Sequence, residues 1–240
     1  PPPGKYSEAP MFAQRVQRGD LPPLEERLPD EPMVVEPVHE IGQYGGTWHR
    51  MMKGSSDFHA YGRCVYEQIL RWSATPSGGI EVGPGLVRDW EWENGDKTLV
   101  LHLRKGLRWS DGHPFDAGDI MFWWERIAQD KNLHSSIPSY WMPNEVNMDV
   151  ARIDDHTVSL TFDRPYPIAL QYLAFKGNQW PLVFERAGFF APRHYLERFL
   201  PGSGADNPAP ADSISYAVFE AMANDFNSER PVMSAWKVVT

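Results

Sequence analysis

Between Lys97 and Arg104, Leu99, Leu101 and Leu103 alternate with Val100 and His102, a period of two that predicts a strand with one apolar face. Asp89 to Glu93 precedes it across Asn94-Gly95-Asp96, so the two stretches are read as a β-hairpin. A second hairpin is expected from Val146 to Ile153 and His156 to Phe162, joined at Asp154-Asp155. The period changes elsewhere. Tyr61, Val65, Ile69 and Trp72, with Tyr66 and Leu70 widening the same face, predict an amphipathic helix over His59 to Trp72. Asp116 stands three residues before Asp119 and just ahead of Ile120, Met121, Trp123, Trp124 and Ile127. That order predicts an N-cap and a capping-box acid leading an apolar helix to about Gln129.

The remaining chain is read in the same way. Ser7 is placed as the cap of a helix from Glu8 to Arg18 that Gly19 ends. Leu21 to Pro37 is proline-rich and predicts an extended strap laid over a surface. Ile41 to Met52 is expected to be a strand entered through Gly42, Gly45 and Gly46, followed by a polar loop from Lys53 to Asp57. Thr75 to Gly85 reads as a turn-rich break. Helices are expected over Ile168 to Phe175, Pro192 to Leu200 and Ser213 to Asn224, with a low-complexity loop from Ser203 to Asp212 and a strand beginning at Trp236. Helices and antiparallel hairpins without a strict βαβ repeat predict an α/β fold of the mixed α+β kind.

Composition narrows the function. The 240 residues are 42% hydrophobic and 23% charged, which is globular, and a net charge of −9 leaves no bulk basic face for nucleic acid. The single cysteine, Cys64, forms no internal disulfide and sits on the apolar side of a predicted helix. The apolar run Ile120 to Trp124 is far shorter than the ~20 residues of a membrane span. The chain opens at Pro1 with neither a basic n-region nor an apolar h-region, which fits a cytoplasmic protein or a chain whose signal has been removed. The histidines at 39, 49, 59, 102, 113, 134, 156 and 194 lack zinc-site spacing, and Asp111, Asp116 and Asp119 lack the calcium-loop pattern. Gly202-Ser203-Gly204 is no nucleophile elbow, and the glycines from Gly78 to Gly85 lack the lysine of a phosphate cradle. No cofactor, metal or catalytic constellation is expected.

Two segments together resemble a known family. Asp89-Trp90-Glu91 followed by the run from Lys97 through Leu103-Arg104-Lys105-Gly106, Trp109-Ser110-Asp111-Gly112 and Ala117-Gly118-Asp119-Ile120 is similar to the signature of family 5 extracellular solute-binding proteins. Ile41 to Thr47, Asp154 to Val158 and Ala191 to Leu196 are weaker echoes of the same family. The resemblance implies the N-terminal lobe of a two-lobed periplasmic-binding-protein-like fold: residues 1–40 as helix and strap, 41–58 and 176–240 as first-lobe core, 59–175 as an extra subdomain, and the second lobe absent from this chain. It also implies a non-enzymatic, full-length monomer, periplasmic or extracellular, with a lipid anchor as one mode of attachment. Its partners would be a small solute and an ABC permease, with oligopeptides or dipeptides leading and sugars, opines and metal chelates following.

The same resemblance points to ligand-binding residues. Gly54, Ser55, Ser56 and Asp57 fall on the loop that lines the family's cleft, and are small polar groups able to hydrogen-bond a solute. Tyr140 and Trp141 fall where members place an aromatic, and Asn178, Trp180, Met233 and Ser234 at the cleft edge. Two alternatives stay open: a carbohydrate-active hydrolase using paired carboxylates, and a non-transport sensor or interaction module.

Overall fold

The computed structural model describes residues 6–35, 37, 40–49, 51, 53–54, 67–75, 77–134, 136–176, 188–202, 204–207, 213–224 and 227–237. Helix α1 (Pro10–Gln17) starts on its own proline rather than on Ser7. Pro10 carries a φ already suited to a first turn and has no N–H to satisfy, so no side-chain cap is made. Gly19, at φ +75°, ends it as expected. The strap contains one unforeseen helical turn, α2 (Leu24–Arg27).

Strands β1 (Leu70–Ala74) and β2 (Ile80–Pro84) form an antiparallel pair. This corrects the helix expected through Trp72, whose residues 59–66 lie outside the described residues. The turn decides the matter: Thr75 N–H donates to Gly79 O, and Gly79 N–H donates to Thr75 Oγ1, both at 2.9 Å, closing a hairpin that periodicity alone cannot see. Gly85 then joins this pair to the main sheet, because a Cβ there would lie 2.4 Å from Gln68 O.

The main sheet has the order β3-β4-β6-β5, all antiparallel, from β3 (Val87–Glu93), β4 (Thr98–Leu103), β5 (Asp149–Asp154) and β6 (Thr157–Thr161). Both expected hairpins are present. Register sets the faces: Trp92, Leu99, Leu160 and Val150 form one row across the sheet, and Trp90, Leu101 and Val158 the next. These rows turn inward, so the period of two becomes core. The opposite face carries Glu93, Thr98 and Thr161, with Thr98 and Thr161 hydroxyls 3.2 Å apart.

Helix α3 (Ala117–Phe122) widens into a π-helical turn, Trp123–Ala128, that ends at Gln129. It buries Ile120, Phe122, Trp123, Trp124 and Ile127 against the sheet. Helices α4 (Ala169–Lys176), α5 (Arg193–Leu196, continued by a 3-10 turn Glu197–Phe199) and α6 (Ser213–Ala223) complete the layer.

Two expected strands are not found. Residues 41–49 and 51 carry no ladder, and Ile41, Tyr44, Trp48 and Met51 are exposed. Gly45 and Gly46, at φ +95° and +86°, turn the backbone out of an extended course. Trp236 and Lys237 are likewise outside any strand, and residues 238–240 lie beyond the described ones.

Candidate functional site

The signature segment builds a hub around one carboxylate. Asp116 caps α3 by accepting from Gly118 N–H at 2.6 Å, and the Asp119 side chain returns to Asp116 N–H at 3.2 Å, the reciprocal capping box. Asp119 does more than cap. Its Oδ2 accepts from the Trp109 indole N–H at 3.0 Å and its Oδ1 from Arg193 N–H at 3.0 Å, while its backbone carbonyl accepts from Ala191 N–H at 3.2 Å. It is 4% exposed. Burial pushes its carboxyl above the ordinary carboxylate range, against the opposing pull of those hydrogen bonds.

Asp111 has the other fate. In the turn from Trp109 to His113 it accepts from His113 N–H at 3.1 Å and from His194 Nε2 at 2.8 Å. Burial works to raise its carboxyl, but these bonds prevail and hold it below the ordinary range. Asp111, Asp116 and Asp119 are thus engaged in a turn, a helix cap and a histidine pair. Among the described residues, no group of three His, Cys, Asp or Glu is placed to hold a metal, and no helix is long and apolar enough to cross a membrane.

An aromatic spine crosses the core from this hub. Trp109 meets Phe190 at 6.0 Å and Phe115 at 5.8 Å, while Phe189 meets Trp123 at 5.4 Å and Trp141 at 5.5 Å. Tyr140 stands against Trp141 at 5.0 Å and stacks on Tyr172 at 5.1 Å. Trp141 is 0% exposed and packs in the core. Tyr140 is half-buried. The indole N–H groups of Trp123 and Trp141 are buried without an acceptor.

The other expected positions separate into three groups. Gly54 is exposed, at φ +156°. Ser55, Ser56, Asp57, Asn178 and Trp180 lie outside the described residues. Met233 and Ser234 follow Val232, which is clasped to the signature turn: Ser110 N–H donates to Val232 O at 2.8 Å, and Val232 N–H donates to Ser110 Oγ at 3.1 Å. Met233 packs on the core, and Ser234 Oγ donates to Trp236 O at 2.7 Å.

Two surface grooves are lined by none of the described candidate positions. One of ≈ 470 Å³ is lined by Arg88, His102, Lys105, Asp154 and His156 at the end of the sheet. The other, ≈ 630 Å³, runs beneath the strap beside Tyr6, Glu31, Met33 and Arg104. The strap itself is latched there. Asp30 N–H donates to Lys105 O at 3.1 Å, and Arg104 donates to Glu31 O at 3.0 Å and to Gly85 O at 2.9 Å. Sequence reasoning foresaw a strap but not its latch, because nothing near Glu31 signals a partner at Arg104.

Residues 81–205 match the family described as bacterial extracellular solute-binding proteins, family 5, middle. The periplasmic alpha-galactoside-binding protein of Rhizobium meliloti (strain 1021) is 31% identical across 97% of this chain and 34% of its own length. A solved structure of oligopeptide-binding protein OppA superposes with a TM-score of 0.82 at 33% identity, covering 98% of this chain and 36% of that one. The periplasmic binding protein MelB from Agrobacterium fabrum C58, solved in complex with stachyose, gives a TM-score of 0.65 at 26% identity over 99% of this chain and 36% of its own. The chain therefore spans about a third of the length of the relatives it matches.

Proposed function

Because the chain belongs to the bacterial extracellular solute-binding proteins of family 5, we propose that it forms part of the solute-capturing component of an ABC importer. In this reading it works in the periplasm or at the cell surface and presents its solute to a membrane permease. The observation that carries the proposal is the similarity to binding proteins along nearly the whole chain, 97% in one relative and 98% in a solved structure. Residues 41–58 and 176–240 would form the first-lobe core and 59–175 the extra subdomain. Solute would be held where this lobe faces a second one, and closure would bury it. Gly54 to Asp57, Tyr140, Asn178, Trp180, Met233 and Ser234 are the positions proposed to meet it. A binding role also suits the acids, since Asp111, Asp116 and Asp119 are spent on scaffold contacts.

Peptides are the first solute class, supported by the TM-score of 0.82 to an oligopeptide-binding protein. Alpha-galactosides are a second reading, favoured by the near-complete alignment with an alpha-galactoside-binding protein and the stachyose complex. Thermal melting of the protein at its full encoded length, against di- and oligopeptides, alpha-galactosides and metal chelates, separates the two. A ligand bound only by the folded state at about 100 times its Kd adds about 2.7 kcal/mol and raises Tm by several degrees. Cooperative melting that no member of the panel shifts would sink the solute-capture reading for these classes.

A further inference from the structure

His113 and His194 lie face to face, 3.9 Å between ring centroids and 3° from parallel. One ring comes from the signature turn and the other from α5, so the stack joins two elements. Its proton inventory follows from its partners. His113 Nδ1 is 3.1 Å from Pro114 O, and a carbonyl only accepts, so Nδ1 carries a hydrogen. His194 Nε2 is 2.8 Å from an Asp111 oxygen and donates to it, while His194 Nδ1 is buried with no hydrogen-bond partner.

Protonation changes the balance. A proton on His194 Nδ1 would create an N–H where no acceptor stands, although Asp111 partly offsets the new charge. A proton on each ring would set two cations in parallel contact with one carboxylate to share. The other charged groups around the stack do not relieve this. Arg108 donates to Gly112 O at 2.9 Å in the same turn, and Arg193 precedes His194 with its guanidinium beside Gly118. Glu197 follows on α5, and Arg230 and Glu229 precede Val232. Asp116 and Asp119 are held by the α3 cap and the Trp109 indole. Asp111 alone among these carboxylates has a described bond to either ring.

The turn that carries His113 also carries Ser110, which makes both hydrogen bonds to Val232. We propose that the His113–His194 stack is an acid-released clasp: charging both rings pushes the 109–113 turn away from α5 and loosens Val232, and with it Met233 and Ser234. This does not depend on which solute the protein takes.

Melting the protein and its His113→Phe variant at about pH 8 and about pH 5, which span the range where histidine ordinarily changes charge, tests the clasp. Phenylalanine keeps a flat ring in the stack and cannot be charged. The acid-induced fall in Tm is expected to be smaller in the variant by about 3 °C. Amide exchange supplies the local readout: protection at Val232, corrected for the intrinsic pH dependence, should fall about tenfold more in wild type than in the variant, a difference of about 1.4 kcal/mol in local opening. An Asp111→Asn variant, lacking the carboxylate that offsets a charged His194, should lose more Tm on acidification than wild type. It also stands as the test if His113→Phe does not fold. Equal acid-induced losses in Tm and Val232 protection across wild type and His113→Phe would overturn the proposal. So would an Asp111→Asn variant no more acid-sensitive than wild type.

Discussion

The unit running from β3 through α3 and the segment 40–51 are opposites in one chain. In the first, the Trp109 indole and both Asp119 oxygens have partners, and Phe115, Ile120 and Leu101 are buried. In the second, Ile41 is 86% and Met51 98% exposed, and none of the described residues is in a strand. Both regions carry sequence that resembles the same family, yet only one is self-sufficient. The signature residues are thus a packing device, in which Asp111, Asp116, Asp119 and the Trp109 indole are bonded to their neighbours. Gly54, one of the positions proposed to meet solute, lies outside that unit and is exposed.

This contrast can be broken most directly at its centre. Asp119→Ala strands the Trp109 indole, Arg193 N–H and Asp116 N–H together, and we expect a loss of about 3 kcal/mol in urea unfolding. A loss below about 1 kcal/mol would mean the hub is not what holds this region. Arg104→Ala should cost about 1–2 kcal/mol by undoing the bonds to Glu31 and Gly85. It should also speed proteolytic cleavage in the strap before cleavage in the sheet; simultaneous cleavage would count against a separate latch.

A smaller effect sharpens the comparison within the unit itself. The Asp119 carboxyl is raised by burial, so the stability tied to its titration is present below the unfolded carboxylate range and lost as pH rises through the folded value. Asp111 is lowered despite burial, by its bonds from His194 and His113, so its contribution is present above the unfolded range and lost as pH falls through the folded value. The stability difference between wild type and Asp119→Asn should therefore shrink as pH rises from about 3 to about 6. The difference for Asp111→Asn should shrink as pH drops below about 4, by under about 1 kcal/mol because that side chain is 43% exposed. Slopes of the same sign would contradict the assignment. The smallest effect belongs to the other region: Ile41→Ala should change stability by less than about 0.5 kcal/mol, since its side chain is 86% exposed. A larger loss would show that this segment has a packing partner.

Local signals made much of the fold legible. The Leu99-Leu101-Leu103 alternation, the Asn94-Gly95-Asp96 turn and the Asp116/Asp119 pair each act within a few residues, and each is found where expected. Ile69, Leu70 and Trp72 satisfy helical spacing and strand spacing at once, and the Thr75–Gly79 turn makes the choice. Ser7 was misread because Pro10 starts the helix alone. The candidate site was less legible. That Trp141 is buried depends on Phe189, and the clasp on Val232 depends on Ser110, contacts between residues far apart in sequence. The His113–His194 stack is of the same kind: each histidine belongs to a segment that resembles the family, but no pattern within either segment announces the other.

The latch between Arg104 and Glu31 spans 73 positions, and this distance orders events during synthesis. The strap leaves the ribosome well before its docking surface exists. At about 5–20 residues per second, several seconds pass before β4 and the turn at Gly106 are available to receive Pro29 and Asp30. The strap is therefore made before the surface that receives it, and its latch waits on β4.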